Sequence, residues 1–343
     1  MRILVATDAW RPQINGVVHT LERMSAAAEE WGGEFQFLTP LGFATLPLPT
    51  YPSIQIALPA PGEVGRRIRA AAVDHIHIAT EGPIGWAARR DCLQRGRLFT
   101  TSYHTRFPEY ISARTAIPES WTYEALRRFH APAAAVMAPT PSIREELRRR
   151  GFDRVKVWTR GVDHALFRPQ ARDALDLPRP IFLSVGRVAV EKNLEAVLSL
   201  DLPGSTVVVG DGPARAMLER RWPKARFLGA QFGEALARIY ASADVFVFPS
   251  RTDTFGIVLL EALASGLPVA AFPVTGPLDV IGDSGAGALH EDLGEACLAA
   301  LRIPRDKPRE QSLNFSWRES ARQFMDHIHS CRAAAASAIS RTA

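Results

Sequence analysis

The sequence has little cysteine and little lysine. Its three cysteines, Cys92, Cys297 and Cys331, are widely separated and odd in number. Such a set does not form a disulfide framework and contains no metal-type pair, so we expect three buried or inert thiols in a reducing compartment. Four of the 41 basic residues are lysines. Because lysine is so rare in this sequence, a lysine in a turn is a candidate functional residue.

Long apolar runs are also absent. A helix that crosses a membrane needs about 20 consecutive apolar residues, and no run in this sequence approaches that length. The chain opens directly with a strand pattern at residues 2–6. These features predict a cytoplasmic location.

Positive charge is spread unevenly. Residues 1–165 contain 21 Arg and Lys against 16 Asp and Glu, whereas residues 166–343 contain 20 of each. The excess is clustered at residues 66–69, 127–128 and 148–150. Because no aromatic stacking residues or helix-turn-helix pattern interleave these clusters, no nucleic-acid partner is expected. Two readings stay open: solvated helix faces, or a surface that faces an anionic membrane, where each charge contributes about 1 kcal/mol.

What the chain does have is repeated alternation of strand and helix patterns in both halves. With 47% apolar residues in 343, it can bury two cores of ordinary domain size. Strand-helix units build parallel sheets whose two faces are covered by helices. The sequence therefore predicts an α/β protein with two doubly wound domains that face each other across a cleft.

The most informative stretch is residues 246–271. It reads as a buried strand, a polar turn, a helix, a Gly-Leu-Pro stop and a second buried strand. The first strand ends at the carboxyl edge of a parallel sheet, where ligands of open α/β sheets bind. Phe255, Gly256 and Ile257 are predicted to open the helix, so their free amides and the positive end of the dipole would suit a phosphate or sugar oxygen.

Two acids flank this helix start. Asp253 lies just before it, and Glu261 follows eight residues later, a spacing that leaves Glu261 on the helix body. Carboxylates accept hydrogen bonds from sugar and ribose hydroxyls. The spacing alone leaves an alternative open, in which Asp253 is only a helix N-cap and Glu261 is a solvated helix residue.

The same stretch resembles the acid-x7-acid signature of retaining glycosyltransferases of the GT-B fold, in family four, with Asp253 where most members have Glu. Residues 252–256 and 273–277 look most like the bacterial branch of mannosyl-, glucosyl- and glucuronosyl-transferases that build glycolipids. The resemblance implies two Rossmann-like domains. It also implies that Asp253 holds the transferred hexose and Glu261 the ribose.

Two cations of the second half fit the same donor. Gly186 and Arg187 end a predicted strand, and Lys192 lies one loop later. The planar guanidinium of Arg187 and the ammonium group of Lys192 could converge on one anion, and such a pair of cations suits a diphosphate. Residues 186–193 resemble the donor-phosphate site of the family, so Arg187 and Lys192 are predicted to neutralise the departing diphosphate. The alternative is a pair of surface cations.

Two residues of the first half are assigned from the resemblance. Gly16 lies in the loop 8–17, between a strand and a helix, and taken alone it is a turn glycine. In the family this loop faces the donor. His104 occupies a Tyr-His-Thr sequence that resembles the family position beside the donor sugar, so it is predicted to orient that sugar. A lone histidine is otherwise usually structural.

Other polar residues of the first half carry weaker signals. His75 and His77 share one strand face, as a metal pair would. No convincing third ligand accompanies them, so no metal site is predicted. Glu81 either lines the cleft or caps a helix.

The domain boundaries follow from residues 160–169, which resemble the family hinge. The sequence predicts an acceptor-binding domain at residues 1–169 and a nucleotide-sugar-binding domain at 170–312. A helix at 313–332 would pack back on the first domain, and residues 333–343 would fray.

Together these features predict a retaining glycosyltransferase. The donor would be UDP-glucose, UDP-glucuronate or GDP-mannose, and the acceptor a membrane lipid such as diacylglycerol. The enzyme would sit peripherally on the inner face of the cytoplasmic membrane, attracted by anionic lipid. Because the chain has no Asp-x-Asp motif, protein cations and amides must meet the leaving-group charge, and no metal or other cofactor is expected. The alternatives are a soluble transferase that acts on a glycan acceptor in polysaccharide biosynthesis and, from another class, a sugar-nucleotide epimerase.

Overall fold

The computed structural model describes residues 1–13, 15–48, 51–112, 115 and 117–342. Ile14, in the predicted glycine loop, and Ala343, in the predicted frayed tail, lie outside the described residues. The chain divides into two compact units, the first made of Met1–Arg160 with Trp317–Ala343 and the second of Gly161–Ser316.

The first unit is built on a six-stranded parallel sheet in the order β2-β1-β5-β6-β7-β8. Two further strands form a separate antiparallel pair. The order reverses beside β1, because the chain places β2 on one side of it and β5 on the other. The strands are β1 (Arg2–Ala6), β2 (Glu34–Leu38), β3 (Thr45–Leu48), β4 (Tyr51–Ala57), β5 (His75–Ile78), β6 (Phe99–Ser102), β7 (Val136–Ala138) and β8 (Val155–Val157).

The α-helices among the described residues of this unit are α1 (Gly16–Ala28), α2 (Glu63–Ala70), α3 (Pro83–Gln94), α4 (Phe107–Ser112), α5 (Glu119–His130), α6 (Pro141–Arg149) and, after the second unit, α14 (Trp317–Thr342). The last helix is anchored by buried contacts. The indole of Trp158 donates to the carbonyl of Ser320 at 3.1 Å, and the rings of Trp158 and Phe324 lie 4.9 Å apart. The helix continues through Thr342, and its alanine-rich end favours helix formation. Fraying from residue 333 stays a prediction.

The second unit contains a parallel sheet in the order β11-β10-β9-β12-β13-β14. Its order reverses between β9 and β12. The strands are β9 (Ile181–Val185), β10 (Ser205–Val209), β11 (Arg226–Phe227), β12 (Val245–Phe248), β13 (Val269–Ala271) and β14 (Gly287–Leu289). The helices are α7 (Glu195–Leu198), α8 (Arg215–Arg221), α9 (Gly233–Ser242), α10 (Ile257–Ala264), α11 (Pro277–Val280), α12 (Leu293–Ala300) and α13 (Asp306–Ser312).

Residues 161–169 belong to the second unit, although the sequence placed them at the end of the first domain. Val162 bridges to Ser316, and the imidazole of His164 donates to the carbonyl of Ser312 at 3.0 Å. Both bonds tie the hinge-like segment to the end of the second unit. The second unit therefore starts at Gly161, and the closing helix begins at Trp317.

The two parallel sheets confirm the predicted α/β class. All four residues of β12 are buried, as expected for a central strand covered on both faces. Its helix begins at Ile257 rather than Phe255, because Gly256 has the left-handed φ of 81° and ends the loop. A Cβ at Gly256 would lie 2.9 Å from the ring of Phe248. Within the described part of the chain, no helix combines the length and apolarity required to cross a membrane.

Candidate functional site

The second unit brings two loops together where its strand order reverses. Residues 186–194 follow β9 and residues 249–256 follow β12, and these strands are neighbours in the sheet. We call them the switch-point loops. The side-chain amide of Asn193 donates to the carbonyl of Pro249 at 3.0 Å and joins the two. Ligands of open α/β sheets bind at this kind of reversal.

Lys192 and Asp253 meet across the switch-point loops. The Nζ of Lys192 lies 2.5 Å from the Oδ1 of Asp253, and both side chains are mostly buried. A predicted phosphate cation and a predicted sugar-binding acid are therefore direct neighbours. The alternative role of Asp253 as a helix N-cap is wrong, because the N-cap of α10 is Gly256.

The start of α10 keeps its backbone donors for other partners. Its N-cap is Gly256, which has no side chain to cap the helix, and the amide of Leu259 donates to the carbonyl of Gly256 at 2.9 Å. Phe255 is buried, with its ring 6.2 Å from that of Phe315. Amides and a positive dipole end at this position suit a phosphate oxygen.

Gly186 and Arg187 lie in the first switch-point loop, as predicted. Gly186 directly follows β9, and its carbonyl packs so tightly on the next loop that a Cβ at Gly210 would lie 1.8 Å from it. The close approach explains why residue 210 is glycine. Arg187 is partly buried in the same loop as Lys192.

Glu261 is buried in the body of α10. It is 9% exposed, and the hydroxyl of Tyr240 donates to its Oε2 at 2.9 Å. The alternative of a solvated helix residue is therefore wrong. Burial, aided by the charge of Glu261, raises the pKa of Tyr240 well above its ordinary value, so this hydroxyl remains a donor. Sequence reasoning missed Tyr240, which lies in the apolar pattern of α9.

In the first unit, His104 follows β6 and contacts a buried arginine. Arg160 is 3% exposed, and its guanidinium donates to the Nδ1 of His104 at 3.2 Å and to the carbonyl of Trp158 at 2.6 Å. Since a guanidinium has no acceptor, Nδ1 is unprotonated and the proton of this imidazole is on Nε2. Burial, together with the charge of Arg160, holds the pKa of His104 well below its ordinary value. His104 is thus a neutral donor through Nε2.

Gly16 is the first residue of α1, and the preceding residue, Asn15, is the N-cap of this helix. The carboxamide oxygen of Asn15 accepts from the amides of Val17 and Val18, both at 3.0 Å. The α1 terminus is thus already capped by its own chain. The donor contact predicted for Gly16 stays a prediction.

A partly buried acid that sequence reasoning missed lies where the first sheet reverses its order. Asp8 follows β1 and accepts from the amides of Ile84 and Gly85 at 2.8 and 3.2 Å, and from the hydroxyl of Thr80 at 2.9 Å. Burial raises the pKa of this carboxyl group. Asp8 therefore caps α3 from a distant strand.

The paired histidines of β5 are structural. His75 and His77 both bond to the hydroxyl of Thr100 at 2.9 Å, and His77 also bonds to Ser102 at 2.7 Å. The carboxylate of Glu81 bonds to the ring of His130 at 3.1 Å, and a role in lining a cleft stays a prediction. No group of three or more potential metal ligands occurs within the described ranges.

Two family models match the chain. The model described as "Glycosyltransferase Family 4" matches residues 14–166, and the model described as "Glycosyl transferases group 1" matches residues 179–303. The two matches correspond to the two parallel-sheet units. The switch-point loop after β12 lies within the second match.

Known proteins agree with this assignment. A GDP-mannose-dependent alpha-mannosyltransferase of Mycobacterium tuberculosis is 31% identical over 84% of this chain and 83% of its own length. The sulfoquinovosyl transferase of Arabidopsis thaliana is 29% identical over 87% of this chain and 64% of its own. The alpha-monoglucosyldiacylglycerol synthase of Streptococcus pneumoniae is 26% identical over 96% and 85%.

Solved structures agree on the fold. Sucrose-phosphate synthase of Thermosynechococcus elongatus aligns with a TM-score of 0.79 at 22% identity, over 97% of this chain and 99% of that one. Its similarity extends over both units. The chain therefore belongs to glycosyltransferase family 4, has the GT-B fold and uses a nucleotide sugar.

Proposed function

We propose that this protein is a retaining, metal-independent transferase that moves a hexose or hexuronic acid from a nucleotide-diphosphate sugar to a membrane lipid such as diacylglycerol. The observation that carries the proposal is the contact between Lys192 and Asp253 at the reversal of the second sheet. It places a phosphate-binding type of side chain beside a sugar-binding one. A donor whose phosphate and sugar are adjacent needs this pairing.

In this mechanism the diphosphate is the main target of the protein charges. Arg187, Lys192 and the first amides of α10 stabilise the negative charge that develops as the bond between the sugar and the diphosphate breaks. Donors already fixed in place act most strongly at that point. The acceptor oxygen bonds to the same face of the sugar, and its proton passes to the leaving phosphate. No protein nucleophile is required.

The remaining site residues hold the donor. Asp253 accepts from hydroxyls of the hexose, and Glu261 accepts from the ribose. His104 is assigned to the sugar by its family position, and its Nε2 proton is the kind of donor that a sugar hydroxyl accepts. Gly16 keeps its predicted place near the donor on the family resemblance alone.

The basic first unit supports a lipid acceptor and a peripheral place on the inner face of the cytoplasmic membrane. Trp121 of α5 is 72% exposed. Arg127 and Arg128 follow on the same helix, each 2.8 Å from the carboxylate of Glu124. An exposed indole near arginines is typical of an interfacial helix. Sedimentation with anionic vesicles should decrease as salt increases; no sedimentation at low salt would contradict this placement.

A screen of donors and acceptors tests the reaction. UDP-glucose, UDP-glucuronate and GDP-mannose are each incubated with diacylglycerol vesicles and with soluble glycan acceptors, and products are identified by mass spectrometry and anomeric NMR. We expect one donor to yield a glycolipid with retained configuration. Transfer to the soluble glycans alone would favour the polysaccharide alternative. Release of an epimer without any acceptor would favour an epimerase.

A further inference from the structure

Helix α10 contains a buried carboxylate. Glu261 is the one charged residue in a helix whose other seven residues are apolar, and it is 9% exposed. A buried carboxylate is unfavourable unless hydrogen-bond donors compensate for the lost water. The protein must therefore provide donors, and their positions determine how the carboxylate is oriented.

Tyr240 is such a donor, and it is rigidly held. Its side chain is fully buried, and its hydroxyl lies 2.9 Å from the Oε2 of Glu261. The rings of Phe167 and Phe246 pack against it, with centroids at 5.8 and 5.7 Å. A ring clamped in this way cannot swing its hydroxyl away from the carboxylate.

The fixed Tyr240 donor restricts how the carboxylate of Glu261 can meet a ligand. A carboxylate has about four acceptor positions, so an immobile donor at Oε2 restrains the carboxylate plane, and further acceptor positions can meet ligand hydroxyls. Adjacent hydroxyls of a ribose are two donors with a fixed separation. Their recognition requires a carboxylate plane that does not rotate.

We propose that Tyr240 is a positioning residue that orients Glu261 toward the 2′ and 3′ hydroxyls of the donor nucleotide, and thereby sets the preference for ribonucleotides over deoxyribonucleotides. The inference rests on the proposed function, in which Glu261 binds the ribose. It adds a residue that does not itself touch the nucleotide.

Calorimetric titration of the full chain tests this role. UDP and GDP are compared with their 2′-deoxy and 3′-deoxy forms on the wild type, Tyr240→Phe and Glu261→Gln. We expect the wild type to prefer the ribose form of the nucleotide that binds. Loss of one hydrogen bond to the carboxylate should lower this preference about fivefold in Tyr240→Phe. Glu261→Gln should lower the preference further.

The control is Phe167→Leu, which loosens the same ring but keeps its hydroxyl. It should lower the preference less than Tyr240→Phe does, because the hydroxyl can still donate to Glu261. Thermal unfolding of each variant verifies that it is folded. If Phe167→Leu lowers the preference as much as Tyr240→Phe, packing rather than the hydroxyl is responsible, and the inference is overturned.

The remaining outcomes separate the inference from the proposed function. If Tyr240→Phe keeps the wild-type preference while Glu261→Gln loses it, Glu261 reads the ribose without help from Tyr240, and only the inference is wrong. If Glu261→Gln also keeps the preference, or if neither UDP nor GDP binds the wild type, the ribose site itself is wrong, and the inference is overturned with it.

Discussion

The two sheets reverse their strand order in the same manner, but they differ in what occupies the reversal. In the first unit Asp8 fills it and bonds to two amides at the start of α3. A Cβ on Gly82 would lie only 2.4 Å from the carboxyl carbon of Asp8. In the second unit Lys192 and Asp253 contact each other there, and the N-cap of α10 is Gly256, which has no side chain.

The difference shows how one topology can give both a structural and a ligand-binding sheet edge. A reversal always gathers loop ends and helix amides at the carboxyl edge. If the chain satisfies those amides with its own buried carboxylate, the edge is a stabilising cap. If it leaves them for a ligand and adds a cation, the edge is suited to an anion.

The largest expected effect is the loss of the cation at the second reversal. Lys192→Ala should lower turnover about a thousandfold, because fixed positive charge at the leaving group is worth several kcal/mol in the transition state. Steady-state kinetics with the identified donor measures it. Lys307→Ala is the matched control, since that lysine is exposed and pairs with the exposed Glu310 at 3.0 Å. Near-normal turnover in Lys192→Ala would remove this lysine from the site.

A stability effect without a binding effect is expected at the first reversal. Asp8→Ala should lower the free energy of unfolding by about 3 kcal/mol, because it leaves two buried amides and a hydroxyl without their acceptor. Urea unfolding measures the loss, and calorimetry should show unchanged affinity for a nucleoside diphosphate. Asp8→Asn, which keeps one acceptor oxygen, should lose less. Weaker nucleotide binding in a folded Asp8→Ala would show that the first reversal also holds ligand.

The interior of the first sheet should make stability depend on pH. Burial lowers the pKa of His75 to about 3, so the unfolded chain binds a proton that the folded chain does not. Stability is then complete above the unfolded pKa of about 6.5 and falls toward pH 3, by about 1.4 kcal/mol per pH unit. Urea unfolding of His75→Gln should show a shallower decline between pH 6 and 4.5. His329→Gln, an exposed histidine of the same unit, should keep the wild-type slope; equal slopes in all three proteins would contradict the assignment.

The smallest expected effect is that of metal removal. If Lys192, Arg187 and the α10 amides supply the positive charge at the second reversal, a chelator should change the transfer rate by less than about twofold. The assay compares chelator alone with chelator followed by excess magnesium. A rate that collapses in chelator and recovers with magnesium would show that an ion belongs at this reversal.

Local patterns in the sequence predicted the switch-point loops and the sheets around them. Strand, turn and helix signals each depend on a few consecutive residues. Lys192, Asp253 and Gly256 could therefore be placed at the carboxyl edge of a strand. Their direct contact was not predictable, because it joins residues that are far apart in sequence. The α10 start was misplaced by two residues, because the local pattern does not reveal that Gly256 has a left-handed φ and ends the loop.

The residues that the sequence did not predict were missed for the same reason, because their contacts join distant parts of the chain. Asp8 bonds to amides of α3, Tyr240 to Glu261, and Arg160 to His104. In each pair the second residue lies on another element, and nothing in the local pattern marks the first as polar support. Glu261 could be read as solvated for the same reason, since its burial depends on α9.

The helix α14 connects the two ends of the chain, because Trp317–Thr342 belongs to the unit that begins at Met1. During synthesis, residues 161–316 leave the ribosome before the segment that covers Trp158 and packs Phe324 into the first core. Domains usually fold in the order in which they are made. Here the unit that is translated first is the last to acquire its full core, so a nascent chain that stalls before Trp317 exposes apolar surface in its amino-terminal half.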